Sequence, residues 1–284
     1  MNAWALPELA RLQVELSRRL CANSCRDYHS AWPVLRAARL VGGIDADRRP
    51  LLEILGPLLQ NKVGRRILIA GCADSALLSL VAGVAPATSR ITIIDRCPTP
   101  LAVCRHVAAP SLLLETLQAD LLACEPEAPY DLIVCHSLLP FFPDSERRAL
   151  LHRFAAWLSP GGALVLAVRL KHVKDAADDD PGQAGHWVAV RAAEARKALA
   201  GEFSMEGLDE AWRAKQEERL EGYYRFMATQ NLPYSRAEDA VEEFRRAGLT
   251  VTTILPGGEG LSFMTPGWRS KRGIPGLVLQ AIRS

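Results

Sequence analysis

Four polar side chains stand where predicted strands stop. Asp95 ends the run Ile91–Ile94, Asp120 follows Leu112–Ala119, His136 follows Tyr130–Cys135, and His172 comes just after Ala163–Leu170. Before the first of these lies Ile67–Ala70, which ends in the small-residue turn Gly71-Cys72-Ala73. Small residues let a backbone approach a ligand, and a carboxylate at the tip of the next strand can accept both hydroxyls of a ribose. An imidazole at a strand tip can take a proton from a nucleophile near neutral pH. Each residue also has a plainer reading. Asp95 can start a turn, Asp120 can cap a helix, and His136 can pack and hydrogen-bond to backbone. Asp131, at the opposite end of its strand, reads as structural.

The elements that position these residues follow from periodicity. Strands are predicted at Arg66–Cys72, Arg90–Asp95, within Leu112–Ala119, and at Tyr130–Cys135, Ala163–Leu170, Thr250–Leu255 and Gly276–Ile282. The fourth is almost wholly apolar, as a parallel strand covered on both faces should be. Helices are predicted between them, at Leu101–Ala108 behind Pro98 and Pro100, at Ser145–Leu158 before a Ser-Pro-Gly-Gly stop, and at Arg236–Ala247. Alternation of this kind implies right-handed crossovers and an α/β, doubly wound, mostly parallel sheet of seven strands, Rossmann-like. The last strand is entered through a loop rather than a helix and is expected to be antiparallel. The chain divides into an N-terminal helical cap (1–62), a cofactor-binding core (63–170), a helical insertion that is a candidate lid (171–233) and a C-terminal part of the sheet (234–284).

The 284 residues are 49% apolar and 23% charged, the balance of a globular enzyme. A net charge of +2 offers no global field for nucleic acid or an anionic membrane. The seven cysteines show no paired CxxC spacing, which suits free thiols in a reducing cytoplasm. Cys21 and Cys25 are one helical turn apart and make at most half a metal site with His29 nearby. With no second pair, no metal is expected. No secretory leader or run of membrane-spanning length is seen. The expected partners are a small-molecule substrate and, at most, a second copy of the chain.

In this order of elements the chain resembles the class I S-adenosylmethionine-dependent methyltransferases. ILIAGCADS resembles the family's first motif, hhDhGxGxG. Gly71 keeps its glycine, the later glycines fall on Ala73 and Ser75, and the usual acidic residue falls on Ile69. ITIID resembles the second motif, LQADLL the third, YDLIVCHSLLPFF the fourth and LSPGGALVLAV the following turn and strand. The resemblance implies that S-adenosyl-L-methionine is the cofactor. It would place Gly71, Cys72 and Ala73 at the turn, Asp95 with Arg96 at the ribose, Asp120 and Leu121 at the adenine, and Cys135 and His136 at the tip of strand four. Tyr28 would close over the cofactor, and Arg36 would pair its methionine carboxylate; the plainer reading of this cluster is aromatic packing of the cap. Candidate substrate residues are His172, Trp187 and Tyr224, the last two being equally at home in helix packing.

Other classes stay open. A nicotinamide dehydrogenase shares the first unit but wants a GxGxxG turn that GCADSA does not supply. A nucleic-acid methyltransferase wants basic patches with exposed aromatics, and CHSLLP stands where the Asn-Pro-Pro-Tyr motif of its amine-methylating type would be. A non-catalytic subunit that keeps the fold and the cofactor is also compatible with the sparse first motif. Methyl transfer to an oxygen or nitrogen of a metabolite, with His136 as general base, is the expected activity.

Overall fold

A computed structural model describes residues 6–60, 62–171, 181–200, 210–230, 232–258 and 276–283. His172 lies outside the described residues. Four helices come first: α1 (Leu6–Leu20), α2 (Asn23–Ala37), α3 (Gly43–Ala46) and α4 (Arg48–Leu59). The alternating core follows: β1 (Arg66–Ala70), α5 (Ala76–Val84), β2 (Arg90–Asp95), α6 (Pro98–Val107), β3 (Leu113–Gln118), β4 (Tyr130–His136), α7 (Asp144–Trp157) and β5 (Leu158–Arg169). Then come α8 (Pro181–Ala200), α9 (Glu210–Ala214), α10 (Gln216–Ala228), α11 (Ala237–Arg246), β6 (Leu249–Pro256) and β7 (Gly276–Arg283).

The strands form one seven-stranded sheet in the order β3-β2-β1-β4-β5-β7-β6. β1 to β5 are parallel, and β7 runs antiparallel to both β5 and β6. The expected doubly wound sheet and its antiparallel last strand are therefore both present. Strand periodicity explains the layers. Ile67, Ile69, Ile91, Ile93, Leu132 and Val134 point to one face, against α4, α5 and α6. Leu68, Ala70, Ile133, Cys135, Leu164 and Leu166 point to the other, against α7 and α11.

Two boundaries differ from the sequence reading. α6 begins at Pro98, because both prolines sit in its first turn, where no backbone donor is needed. β5 begins at Leu158, ahead of the Ser-Pro-Gly-Gly stop. Leu158 pairs with Tyr130 and Ala163 with Leu132, so residues 159–162 bulge out between two points of the same pairing.

A third apolar cluster joins α1 and α2 to α8 and α10, with Trp32, Leu35, Val188, Ala195, Tyr223 and Tyr224 at its centre. The N-terminal helices and the insertion thus share one bundle. α4 stands apart from it: Leu51, Ile54, Leu55 and Leu59 pack into the sheet's own layer.

The bundle and sheet meet around the turn after β1. Gly71 has φ +70°, and its N–H donates to the Ile94 carbonyl at 2.8 Å. A Cβ there would lie 2.6 Å from Leu138 Cδ1. Gly71→Ala combines left-handed strain with that contact, so it should destabilise the protein by about 1–3 kcal/mol in urea titration. A midpoint equal to that of the native protein would refute the tight approach.

Candidate functional site

Asp95 closes β2 and is held by two amides. Its Oδ2 accepts from the Cys72 N–H at 2.8 Å and its Oδ1 from the Cys97 N–H at 2.7 Å. Burial pushes its carboxyl above the usual range, and the two amides and nearby His29 only partly offset this. Each oxygen keeps a further lone pair. The carboxylate therefore sits desolvated between the β1 turn and the start of α6, under-supplied with donors.

Asp120 lies two residues beyond β3. Its Oδ1 accepts from the Leu122 N–H at 2.9 Å and so shapes a turn rather than capping a helix. Arg96 Nε comes within 3.7 Å of Asp120 Oδ2 on an open surface. Leu121 is buried in the sheet layer. Asp131, at the far end of β4, accepts from the Arg66 N–H at 2.9 Å and from Arg65 Nη1 at 3.1 Å.

The cap grips the β1 turn directly. Gln13 Nε2 donates to the Ala73 carbonyl at 2.7 Å. Asp74 Oδ1 accepts from the Ala76 N–H at 2.7 Å and so shapes the start of α5. Its Oδ2 accepts from Trp32 Nε1 at 3.0 Å and Arg36 Nη1 at 3.1 Å. Arg36 Nη2 donates to Asp45 at 2.7 Å. Burial opposes the charge of Arg36, but Asp74 and Asp45 outweigh it and raise its pKa. Both terminal nitrogens of Arg36 are thus engaged by carboxylates of this chain.

Tyr28 stacks between Trp32 (5.9 Å) and Tyr223 (5.8 Å) and meets Phe141 edge-on at 6.0 Å. Burial, then the charges of Asp74 and Asp95, push its hydroxyl well above the usual range. That ring is therefore packed in the cap and also close to both carboxylates of the site. Trp187 meets Tyr224 edge-on at 5.7 Å. Burial pushes the Cys135 thiol up to about 12, which makes it an inert packing group.

His136 ends β4, and its partner comes from a segment the sequence reading passed over. His136 Nε2 lies 2.7 Å from Oδ2 of Asp47, a fully buried residue between α3 and α4. Arg169, at the end of β5, grips the same carboxylate with Nη1 to Oδ1 at 3.0 Å and Nη2 to Oδ2 at 2.5 Å. The Gly258 N–H adds a bond to Oδ1 at 2.9 Å. A carboxylate only accepts, so Nε2 carries the proton and a neutral His136 ring has its lone pair on Nδ1. Ser137 follows with φ +50°, a strained conformation for a residue with a side chain, pinned by its N–H to the Ala167 carbonyl at 2.9 Å. A lone charge after six buried residues in β5 was the one sequence signal for Arg169. Asp47 had none.

The structure also assembles a group the sequence reading divided. Cys97, next to Asp95, joins Cys21, Cys25 and His29, with all four donor atoms within 4.8 Å of one another.

Residues 67–162 match the family model of a methyltransferase domain. A carboxy-S-adenosyl-L-methionine synthase from Chromohalobacter salexigens is 29% identical over 126 residues, 42% of this chain and 46% of the relative, so the match spans about half of that protein. The N-methyltransferase NodS of Bradyrhizobium japonicum, solved with S-adenosyl-L-homocysteine, superposes with a TM-score of 0.51, at 17% identity, over 96% of this chain and 98% of its own. The mitomycin 7-O-methyltransferase MmcR gives 0.52 at 15% identity, over 100% and 62%. At such identities the structures establish the fold. Among the described residues no helix is long and apolar enough to cross a membrane.

Asp47 makes an acid-stability prediction. Burial opposes its charge, but His136 and Arg169 overcome that and hold its carboxyl below the usual range. The unfolded chain therefore takes up the proton first as pH falls. The stabilisation is complete above the ordinary aspartate value of about 3.9 and is lost as pH falls through the lower folded-state value. Asp47→Asn should cost about 3–5 kcal/mol at neutral pH, because it leaves Arg169 buried without its counter-charge. It should also flatten the acid limb of a urea-midpoint-against-pH plot. Parallel acid limbs in variant and native protein would contradict an ionised Asp47.

Proposed function

We propose that this chain transfers a methyl group from S-adenosylmethionine to an oxygen or nitrogen of a small metabolite. The observation that carries the reading is the under-supplied carboxylate of Asp95 beside the β1 turn, inside a domain of the methyltransferase family. Two ribose hydroxyls are the donors such a carboxylate lacks. When bound, the cofactor supplies a methyl group on a positively charged sulfur.

The remaining roles fall to the chain's own side chains. Gly71, Cys72 and Ala73 let the backbone approach the ligand, and Asp120 keeps an acceptor oxygen for an adenine amine. Tyr28 closes the site from the cap. Arg36, with both terminal nitrogens engaged by Asp45 and Asp74, acts by holding the cap on the β1 turn rather than by meeting the ligand itself. His136 takes the proton of the nucleophile on Nδ1, and Asp47 fixes the tautomer and stabilises the imidazolium that forms. The Trp187 indole N–H and the hydroxyls of Tyr223 and Tyr224 are buried with no hydrogen-bond partner among the described residues, which supports a polar substrate group near them. Free thiols suit a reducing cytoplasm.

The name of the curated relative supports a second reading, in which the reaction alters the cofactor itself. The mass of the cofactor-derived product separates the two: S-adenosylhomocysteine for methyl transfer, a carboxylated S-adenosylmethionine for the other. Binding without either product would identify a non-catalytic subunit.

Asp95→Ala should weaken S-adenosylhomocysteine binding at least tenfold by calorimetry, since charge-assisted bonds are worth roughly 1.5–3 kcal/mol. Equal affinity in a folded variant would remove the ribose role.

His136→Ala should lower the maximal rate about 100-fold while cofactor affinity holds. A near-normal rate in a folded variant would leave His136 as a packing residue.

A further inference from the structure

Three cysteines and a histidine from distant parts of the chain converge between the cap and the core. Cys21 lies between α1 and α2; Cys25 and His29 follow at intervals of four residues, on one face of α2. Cys97 lies just before α6, two residues after Asp95. Cys21 Sγ is 3.5 Å from Cys97 Sγ and 3.5 Å from His29 Nδ1, and Cys25 Sγ is 3.7 Å from Cys97 Sγ.

These separations select among the chemistries open to cysteines. A disulfide needs its sulfurs at about 2.05 Å, so no pair here is bonded. Zinc–sulfur bonds of about 2.3 Å and zinc–nitrogen bonds of about 2.0–2.1 Å set the edges of a tetrahedral site. At tetrahedral angles those lengths give sulfur–sulfur edges of about 3.8 Å and sulfur–nitrogen edges of about 3.6 Å. Three of the six edges, Cys21–Cys97, Cys25–Cys97 and Cys21–His29, lie within a few tenths of an ångström of these values, and the other three are no longer than 4.8 Å. Three thiolates packed this closely would repel one another, and a divalent cation removes the repulsion. The donor set is soft and already four in number, which favours zinc over harder cations and leaves no open position for catalysis.

We propose that Cys21, Cys25, His29 and Cys97 bind one structural zinc ion that fastens the helical cap to the tip of β2. The ion displaces protons from three thiols and takes the His29 lone pair on Nδ1, with no change of oxidation state. Its position beside Cys97 ties the cap to the residue whose N–H holds Asp95 Oδ1. The metal therefore fixes the geometry of the ribose carboxylate from outside the site.

The test uses the full-length, untagged native protein, purified under reducing conditions and then supplied with zinc or cobalt(II). Elemental analysis should find one zinc per chain after extensive dialysis, released when a mercurial blocks the thiols. Cobalt(II) should give the intense visible bands of a tetrahedral ion together with near-ultraviolet thiolate charge transfer. Cys97→Ser and Cys25→Ser, if folded, should each bind zinc at least tenfold more weakly. Less than a tenth of an equivalent of zinc in the native protein, or a weak octahedral cobalt spectrum without charge transfer, would overturn the proposal. So would undiminished zinc affinity in a folded Cys97→Ser variant. If neither variant folds, the stoichiometry and cobalt spectrum of the native protein decide alone.

Discussion

One buried carboxylate holds the functional end of this molecule together. Asp47 accepts from His136, from both terminal nitrogens of Arg169 and from the Gly258 amide, which fills its four acceptor positions. Those donors come from the tips of β4 and β5 and from the segment after β6, while Asp47 itself belongs to the N-terminal helices. A charge removed from water is tolerable only with such complete compensation. Removing any partner therefore leaves another group buried and unsatisfied. The strained Ser137 sits next to this network, where neighbouring bonds over-determine the backbone.

A second carboxylate organises the other half of the site. Asp74 is bound by Trp32 and Arg36 from α2 and by the Ala76 amide of its own turn. The sparse first motif, with Ala73 and Ser75 where its family has glycines, thus carries an anchor for the cap. Asp95, by contrast, is gripped among the described residues by two backbone donors and keeps capacity for a ligand. Three aspartates within one region serve different ends because their donors differ: a full complement at Asp47, a shared one at Asp74, and an incomplete one at Asp95.

The centre of the sheet was legible because β1, β2, β4 and β5 carry short apolar runs buried on both faces, whereas the edge strands β3 and β6 are partly exposed. Asp95 and His136 were visible for the same reason, as polar stops after buried residues. Asp47 was not, since it lies in the polar stretch Gly43–Arg49 and becomes buried only through segments more than eighty residues away. The cysteine cluster was half visible: the spacing of Cys21 and Cys25 with His29 nearby suggested half a metal site, but Cys97 joins them only through the docking of the cap on β2. The lower edge of β5 was misread because a Pro-Gly-Gly stretch signals a stop, and here the pairing resumes beyond it. Tertiary contacts, not local propensity, decided each of these.

The sheet order carries a consequence for the time course of synthesis. Among the described residues β6 has no neighbour but β7, and β7 lies between it and β5. A ribosome delivers β5 and β6 well before β7, so for that interval β5 presents an open edge and β6 has nothing to pair with. Exposed edges of this kind are where nascent chains meet wrong partners. Arg169 pairs in register with Gly276, the first residue of β7. The dry surroundings that Asp47 and Arg169 share therefore close only when the last strand slides into place.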